Sequence, residues 1–188
     1  MVHRAKFTAH LLPVIFTAAL LLSSCALTDD NPQSGDHSDL KGSVLGIYLA
    51  DTDELVLSDK HIKSYHRDTV IYEGGDFEHS IKLNAAGIVR WNSFLTYEGV
   101  PKLNDTLYKK DFIIKINNEE MYRGKFYSMV SSSSYKGVVI LDALVKLDEN
   151  NNRLLILSGY GGINDHPAKD ARNNPAIMDF LKKQGLLK

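Results

Sequence analysis

The chain has a single cysteine, Cys25, among its 188 residues, so no disulfide within the chain can hold its fold together. Hydrophobic residues make up 44% of the sequence, and they must supply the stabilising core instead. The residues that follow Cys25 are numerous enough to bury such a core without covalent staples. We therefore expect one domain, held together by the packing of strands and helices.

The first 25 residues carry the signature of export. Basic residues precede an apolar run from Leu11 to Leu22, which is too short to cross a bilayer as a permanent helix and is typical of a cleaved signal. The run leads into Leu22-Ser23-Ser24-Cys25, which resembles the lipobox of bacterial lipoproteins. The resemblance implies that residues 1–24 are removed and that Cys25 carries the lipid. The alternative is an ordinary signal peptide with an incidental cysteine.

The segment after the lipobox refines the expected location. Residues 25–42 are predicted to be the lipidated cysteine and a disordered tether, because Asp, Ser, Gly and Pro dominate and apolar positions do not recur. Ala26 stands where the inner-membrane retention signal of some lipoproteins has Asp. Thr28-Asp29-Asp30 resembles a surface-export tag, and its alternative is a solvated tether. We expect a lipid anchor in the cell envelope, with the outer membrane favoured and surface exposure left open.

The charge balance bears on possible partners. Removal of the signal takes away Arg4 and Lys6 and changes the formal net charge from −1 to −3. Such a balance argues against nucleic acid and against a polybasic membrane-surface patch. No later apolar run approaches the ~20 residues of a membrane helix, so the N-terminal lipid is the expected membrane contact. The sequence leaves open the oligomeric state and whether the partner is an envelope protein or a glycan.

Apolar periodicity predicts the fold class. Residues 43–188 are expected to form a single α+β domain, with a mostly antiparallel sheet and two main helices packed on one face. Residues 77–83 alternate between apolar and polar, as a strand with one buried face does. Asn84 is expected to cap a helix that runs to about Tyr97. Gly87 should weaken that helix by up to ~1 kcal/mol relative to Ala.

Local turn and cap signals predict three further elements. Ser58 is expected to cap a turn of helix that continues to about Tyr65. Asn117-Asn118 separates two strand-like runs and predicts a hairpin, because Asn tolerates the positive φ of a tight turn. Asn174 at the N-cap and Pro175 at the first helical position predict the start of a final helix.

The order of these elements resembles the first periplasmic domain of the SecD family of export-motor proteins. The segments that carry the resemblance are Leu57 to Ile62, Ile81 to Gly87, Phe112 to Tyr122 and Phe180 to Leu187. The resemblance implies the topology of that domain, with about Asp142 to Asn173 as an insertion in the C-terminal half. It implies no chemistry, because that domain has no catalytic residue to carry over, and it favours polypeptide contact or assembly.

The sequence assigns no catalytic residue and no cofactor. Ser131 to Ser134 lack the Gly-x-Ser-x-Gly elbow of a hydrolase, and Cys25 is consumed by the lipid. Gly159-Tyr160-Gly161-Gly162 does not open a helix, so a phosphate cradle is not indicated. His79 lies on the apolar face of its strand and is expected to be a hydrogen-bonded core or rim histidine.

A metal site is one candidate for binding. Asp165, His166 and Asp170 lie in the polar loop 164–174 and could bind a cation through oxygen and imidazole ligands. The loop lacks the regular Asp spacing of a calcium-binding loop. The alternative is an ordered loop whose side chains satisfy its own backbone before the final helix.

Aromatic residues are the other candidate for binding. Tyr127, Tyr135 and Tyr160 would suit a carbohydrate or a peptide if their rings were exposed together, because aromatic faces supply a large contact area. The alternative is that some of these rings point into the core.

These observations favour a lipid-anchored envelope protein that binds or scaffolds another macromolecule without catalysing a reaction. One alternative is a surface hydrolase or glycan-acting enzyme, whose Asp and Glu would come from distant strands and leave no local motif. A second alternative is a small-ligand or metal-binding module at the loop 164–174.

Overall fold

The computed structural model describes residues 44–69, 77–161 and 170–188. The predicted signal, Cys25, the tether, Asp165 and His166 lie outside the described residues. The strands are β1 (Leu45–Leu49), β2 (Leu55–Ser58), β3 (Ile62–Thr69), β4 (Phe77–Leu83), β5 (Leu95–Thr96), β6 (Lys102–Leu103), β7 (Asp111–Ile116), β8 (Glu119–Tyr127), β9 (Tyr135–Leu141) and β10 (Arg153–Tyr160). The α-helices are α1 (Ala85–Asn92) and α2 (Pro175–Lys183).

Eight of the strands form one large curled sheet in the order β2-β1-β7-β8-β9-β10-β4-β3, and β5 pairs with β6 separately. All neighbouring pairs in the large sheet are antiparallel except β8 and β9. Both helices contribute buried side chains to the same core, Trp91 from α1 and Ile177, Phe180 and Leu181 from α2. The predicted α+β class with a mostly antiparallel sheet is confirmed.

Local chemistry sets the hairpin and the final helix as predicted. Asn117 and Asn118 have φ of 50° and 67°, so both occupy the left-handed region that a two-residue hairpin turn requires. The Asn174 side chain accepts a hydrogen bond from the Ala176 amide, and Pro175 follows the cap at the first helical position.

Two predicted helices are shorter than expected. The turn that follows Ser58 is a 3-10 helix that ends at His61, so the prediction that it continues to Tyr65 is wrong. The chain enters β3 instead, because pairing with β4 buries Tyr65 in the core. Helix α1 ends at Asn92 rather than near Tyr97, and the chain then turns into β5.

The parallel pairing of β8 and β9 comes from the connection between them. Residues 128–134 must return along the sheet before β9 begins, since Tyr127 pairs with Leu141. The Tyr160 hydroxyl donates to the carbonyls of Met129 (2.9 Å) and Ser131 (3.1 Å) within this connection. We call residues 128–134 the serine crossover. The serine run is therefore part of a crossover connection between two parallel strands and not a hairpin loop.

Both edge strands of the large sheet are covered in part. On β2, the Arg90 guanidinium of α1 donates to the Leu55 carbonyl through Nη2 at 2.7 Å. On β3, the Tyr65 amide donates to the Leu186 carbonyl at 2.7 Å, and the Lys188 amide donates to the Tyr65 carbonyl at 2.9 Å. These contacts occupy backbone groups that an incoming strand would need.

Membrane spanning was examined over the described residues only. Neither α1 nor α2 combines the length and the apolar character that a bilayer crossing demands.

Candidate ligand-binding groove

An open groove of about 710 Å³ lies on the outer side of the sheet, beside β3, β4 and the start of β10. Its floor comes from the strands and its wall from the segment 143–152. The lining residues are Lys63, Ser64, His66, Lys82, Ala143, Val145, Glu149, Asn150, Asn151, Asn152, Arg153 and Lys188. The volume falls within the ~300–1,000 Å³ of typical small-ligand sites.

Strand register places two cations side by side on the floor. Lys82 on β4 is directly paired with Ser64 on β3 and with Arg153 on β10. Like charges directly opposite each other in a sheet are unfavourable. The fold therefore maintains a concentration of positive charge at this point, although the whole chain carries a net charge of only −1.

Arg153 and Lys82 differ in their partners. The Arg153 guanidinium pairs with the Asp68 carboxylate, and its Nη1 lies 3.7 Å from Glu78 Oε1. Among the described residues, Lys82 and Lys63 make no ion pair. Glu149 is the one acidic side chain among the groove-lining residues, opposite a floor whose lysines lack carboxylate partners.

A Ser–His hydrogen bond lies beside these cations. The Ser64 hydroxyl and His66 Nε2 are 2.8 Å apart, and Ser64 is buried while His66 is half-buried. Burial, followed by the positive charges of Lys82 and Arg153, lowers the pKa of His66 below its ordinary value. The burial and the neighbouring positive charges thus disfavour protonation of the imidazole.

The wall of the groove is fixed by amide side chains. Asn92 on α1 bonds the Leu147 backbone twice, accepting from its amide and donating to its carbonyl, both at 2.9 Å. Asn152 donates to the Leu83 carbonyl at 2.9 Å, and the Leu83 amide donates back to the Asn152 carbonyl. Asp148 accepts from the amides of two following residues. Such a wall is pre-organised, which lowers the entropy lost when a ligand binds.

Strain and exposed apolar surface occur together on that wall. Leu144 has a φ of 53°, a left-handed conformation that is costly for a bulky side chain. Its neighbour Val145 is exposed and lines the groove with Ala143. Backbone strain of this kind persists where the surrounding structure enforces it, and it is frequent at ligand sites.

The three candidate tyrosines lie together, but in a second, smaller core. The Tyr127 ring is 5.9 Å from the Tyr135 ring and 5.1 Å from the Tyr160 ring, measured between centroids. Tyr127 is only 4% exposed, because it packs in a buried cluster with Val139 and Leu141. The hydroxyls of Tyr127 and Tyr160 bond to the serine crossover, so these rings have structural partners already.

Asp170, the one described member of the predicted metal site, is engaged by Arg172. The guanidinium donates to both Asp170 oxygens at 2.8–3.1 Å, and Asp170 also accepts from the Arg172 amide. Burial would raise the pKa of Asp170, but the hydrogen bonds from Arg172 outweigh it and lower that pKa. Within residues 44–69, 77–161 and 170–188, no cluster of three metal-ligating side chains occurs. The metal site stays a prediction.

Asp170 also faces the buried His79. Their Nε2 and Oδ2 atoms are 4.0 Å apart, too far for a hydrogen bond, whereas His79 Nδ1 lies 2.7 Å from the Tyr65 hydroxyl. Burial, and then the charge of Arg172, lowers the pKa of His79 to about 4. The prediction of a hydrogen-bonded core histidine is confirmed. His79 and Tyr65 are buried and the Asp170 side chain is 23% exposed, so this network lies mostly within the core.

The groove residues escaped the sequence analysis because no local motif joins them. Lys82 and Arg153 are far apart in the sequence and meet only through the register of β4 with β10. The polar face of the 77–83 alternation was the one available signal. Comparison of the chain with protein-family models, with curated proteins and with solved structures gives no match.

Proposed function

We propose that this chain is a lipid-anchored protein of the cell envelope that binds another macromolecule without catalysing a reaction. Cys25 would carry the lipid, and the tether would hold the domain near the outer membrane or its surface. The observation that carries the proposal is the groove, where a pre-organised wall accompanies Lys82 and Lys63, which lack carboxylate partners among the described residues. A rigid, incompletely neutralised concavity is the kind of surface that binds a ligand.

The anchor is tested by fractionation. Cys25→Ser should abolish acylation and move the protein from the membrane fraction to the soluble fraction. Unchanged fractionation would show that the predicted lipid attachment at Cys25 is wrong.

Binding is tested separately by photo-crosslinking in the native cells. A photoreactive residue at Val145, inside the groove, should capture a macromolecule. The same residue at Val89, which is exposed on α1 away from the groove, is the control. Equal capture at the two positions, or none at Val145, would refute the proposal.

A surface hydrolase is the second candidate, and the Ser64–His66 hydrogen bond favours it. A nucleophile needs a neighbouring base, and the base needs a third group to orient it. Asp68 lies two residues further along β3, but its carboxylate is paired with Arg153. Hydrolysis of a p-nitrophenyl ester that is lost in Ser64→Ala would favour this candidate over simple binding.

The SecD-like topology belongs to the same proposal. The order of capped turn, strand, helix, hairpin and closing helix supports it, and by fold-level analogy it is compatible with polypeptide contact. The groove, however, is lined by residues between 143 and 153, which the resemblance treats as part of an insertion. We therefore propose that the binding role belongs to these residues and to the neighbouring strands β3 and β4.

A further inference from the structure

We infer that the groove binds an acidic saccharide, with the anionic group over Lys82 and the sugar ring against Val145. This inference rests on the proposed function and adds the chemical class of its ligand. A carboxylate or a phosphate on the sugar would provide the same interaction.

The anionic group is indicated by the floor. Lys82 lies between Ser64 and Arg153 in the register, and it lacks a carboxylate partner among the described residues. An anion placed there would relieve the repulsion between Lys82 and Arg153, and the Ser64 hydroxyl and Lys63 could add further donors. Asp68 and Glu78 already face Arg153, so Lys82 is the cation that most needs a counter-charge.

The saccharide is indicated by the wall. Asn150 and Asn151 are exposed there, and amide side chains both donate and accept, as the hydroxyls of a sugar do. Val145 is 43% exposed and offers an apolar contact for the C–H face of a sugar ring. Cation, amide and apolar surface thus occur within one groove, which suits a ligand that is polar, anionic and partly apolar.

Other macromolecules fit less well. A peptide that adds a strand needs a free sheet edge, but Arg90 covers part of β2 and the segment 186–188 covers β3 at Tyr65. Single-stranded nucleic acid is bound by stacking on aromatic rings, and the groove-lining residues include no Phe, Trp or Tyr.

The test uses the lipidated protein purified in detergent and isothermal titration calorimetry. The probes are tetragalacturonate for a carboxylated sugar, mannose 6-phosphate for a phosphorylated one, and neutral maltotetraose as the matched uncharged oligosaccharide. We expect an acidic probe to bind at least about tenfold more tightly than maltotetraose, and added salt to weaken that binding.

The variants locate the site. Lys82→Gln should weaken binding of the acidic probe by about tenfold and should fold normally, because it removes a like-charge neighbour of Arg153. Lys183→Gln removes the same charge at the exposed end of α2, outside the groove, and should bind as the wild type does.

The outcomes separate the ligand class from the function. Equal binding of acidic and neutral probes, or unchanged binding in Lys82→Gln, would overturn the inference. Capture of a macromolecule at Val145 without binding of any acidic probe would overturn the acidic saccharide alone. Failure of Val145 to capture anything would overturn the proposed function as well.

Discussion

Gly87→Ala should destabilise the domain, although helix propensity alone predicts the opposite. Gly87 lies in the first turn of α1, where Ala would be favoured by ~1 kcal/mol. A Cβ at this position, however, would lie 2.3 Å from the His61 carbonyl oxygen and 3.1 Å from its carbonyl carbon. Both atoms belong to the backbone, so no side-chain rotation can relieve the clash.

The magnitude follows from what has to move. To bring the new Cβ and the His61 carbonyl oxygen to an ordinary van der Waals distance, α1 and the turn at residues 59–61 would have to separate by about 1 Å. The Asn84 amide donates to the same His61 carbonyl at 3.0 Å, so that movement would also stretch this hydrogen bond. Overpacking costs ~1–3 kcal/mol and a weakened hydrogen bond ~1 kcal/mol, against the ~1 kcal/mol gained in propensity. We expect a net loss of ~1–3 kcal/mol.

Urea and thermal unfolding followed by circular dichroism would measure this loss. For a domain of this size the expected decrease in Tm is roughly 3–10 °C. Ala86→Gly is the matched control, because residue 86 is exposed on the same helix and should lose only the ~1 kcal/mol of propensity. A Gly87→Ala variant as stable as the wild type, or more stable, would refute the steric argument.

Two further predictions concern buried polar groups. Asp142→Ala should lower the free energy of unfolding by ~2–4 kcal/mol and speed amide exchange in the serine crossover, because the Asp142 carboxylate accepts from the Leu103 and Met129 amides at 3.1 Å. Asp148→Ala, on an exposed turn, is the control and should lose less stability. Equal losses in the two variants would contradict this prediction. The second prediction concerns His79, whose pKa in the folded state, about 4, lies below the ordinary 6.5. Between these two pH values only the unfolded chain binds the proton, so the stability of the domain falls as the pH drops from about 6.5 towards 4. When the pH is lowered from about 7.5 to about 5, the urea midpoint of His79→Gln should therefore fall less than that of the wild type. Equal decreases of the two midpoints would exclude His79 as a source of the pH dependence.

The elements that were predictable from the sequence are those whose signals are local. Asn117-Asn118 and Asn174-Pro175 act on their own backbone, so the turn and the helix start can be read without knowing the rest of the fold. Strand β3 was missed after His61 because its outward residues are polar and its burial depends on pairing with β4.

The candidate site was less predictable for the same physical reason. Lys82 and Arg153 carry no sequence signal of proximity, and only the sheet register brings them together. The sequence places Tyr127, Tyr135 and Tyr160 on separate segments, and only the pairing of β8 with β9 and of β9 with β10 brings their rings together. Strand pairing between distant parts of the sequence therefore determines both which residues line the groove and which tyrosine rings are buried.

The covering of β3 by Leu186–Lys188 also determines when, during biosynthesis, this edge strand is protected from pairing with another chain. A chain that is made or exported from its N-terminus presents β3 long before residues 186–188 emerge. During that interval the edge can pair with another copy of the chain, which is the first step of aggregation. Protection of β3 at Tyr65 therefore waits for residues 186–188, and proteolytic removal of that segment would expose the same backbone groups in the finished protein.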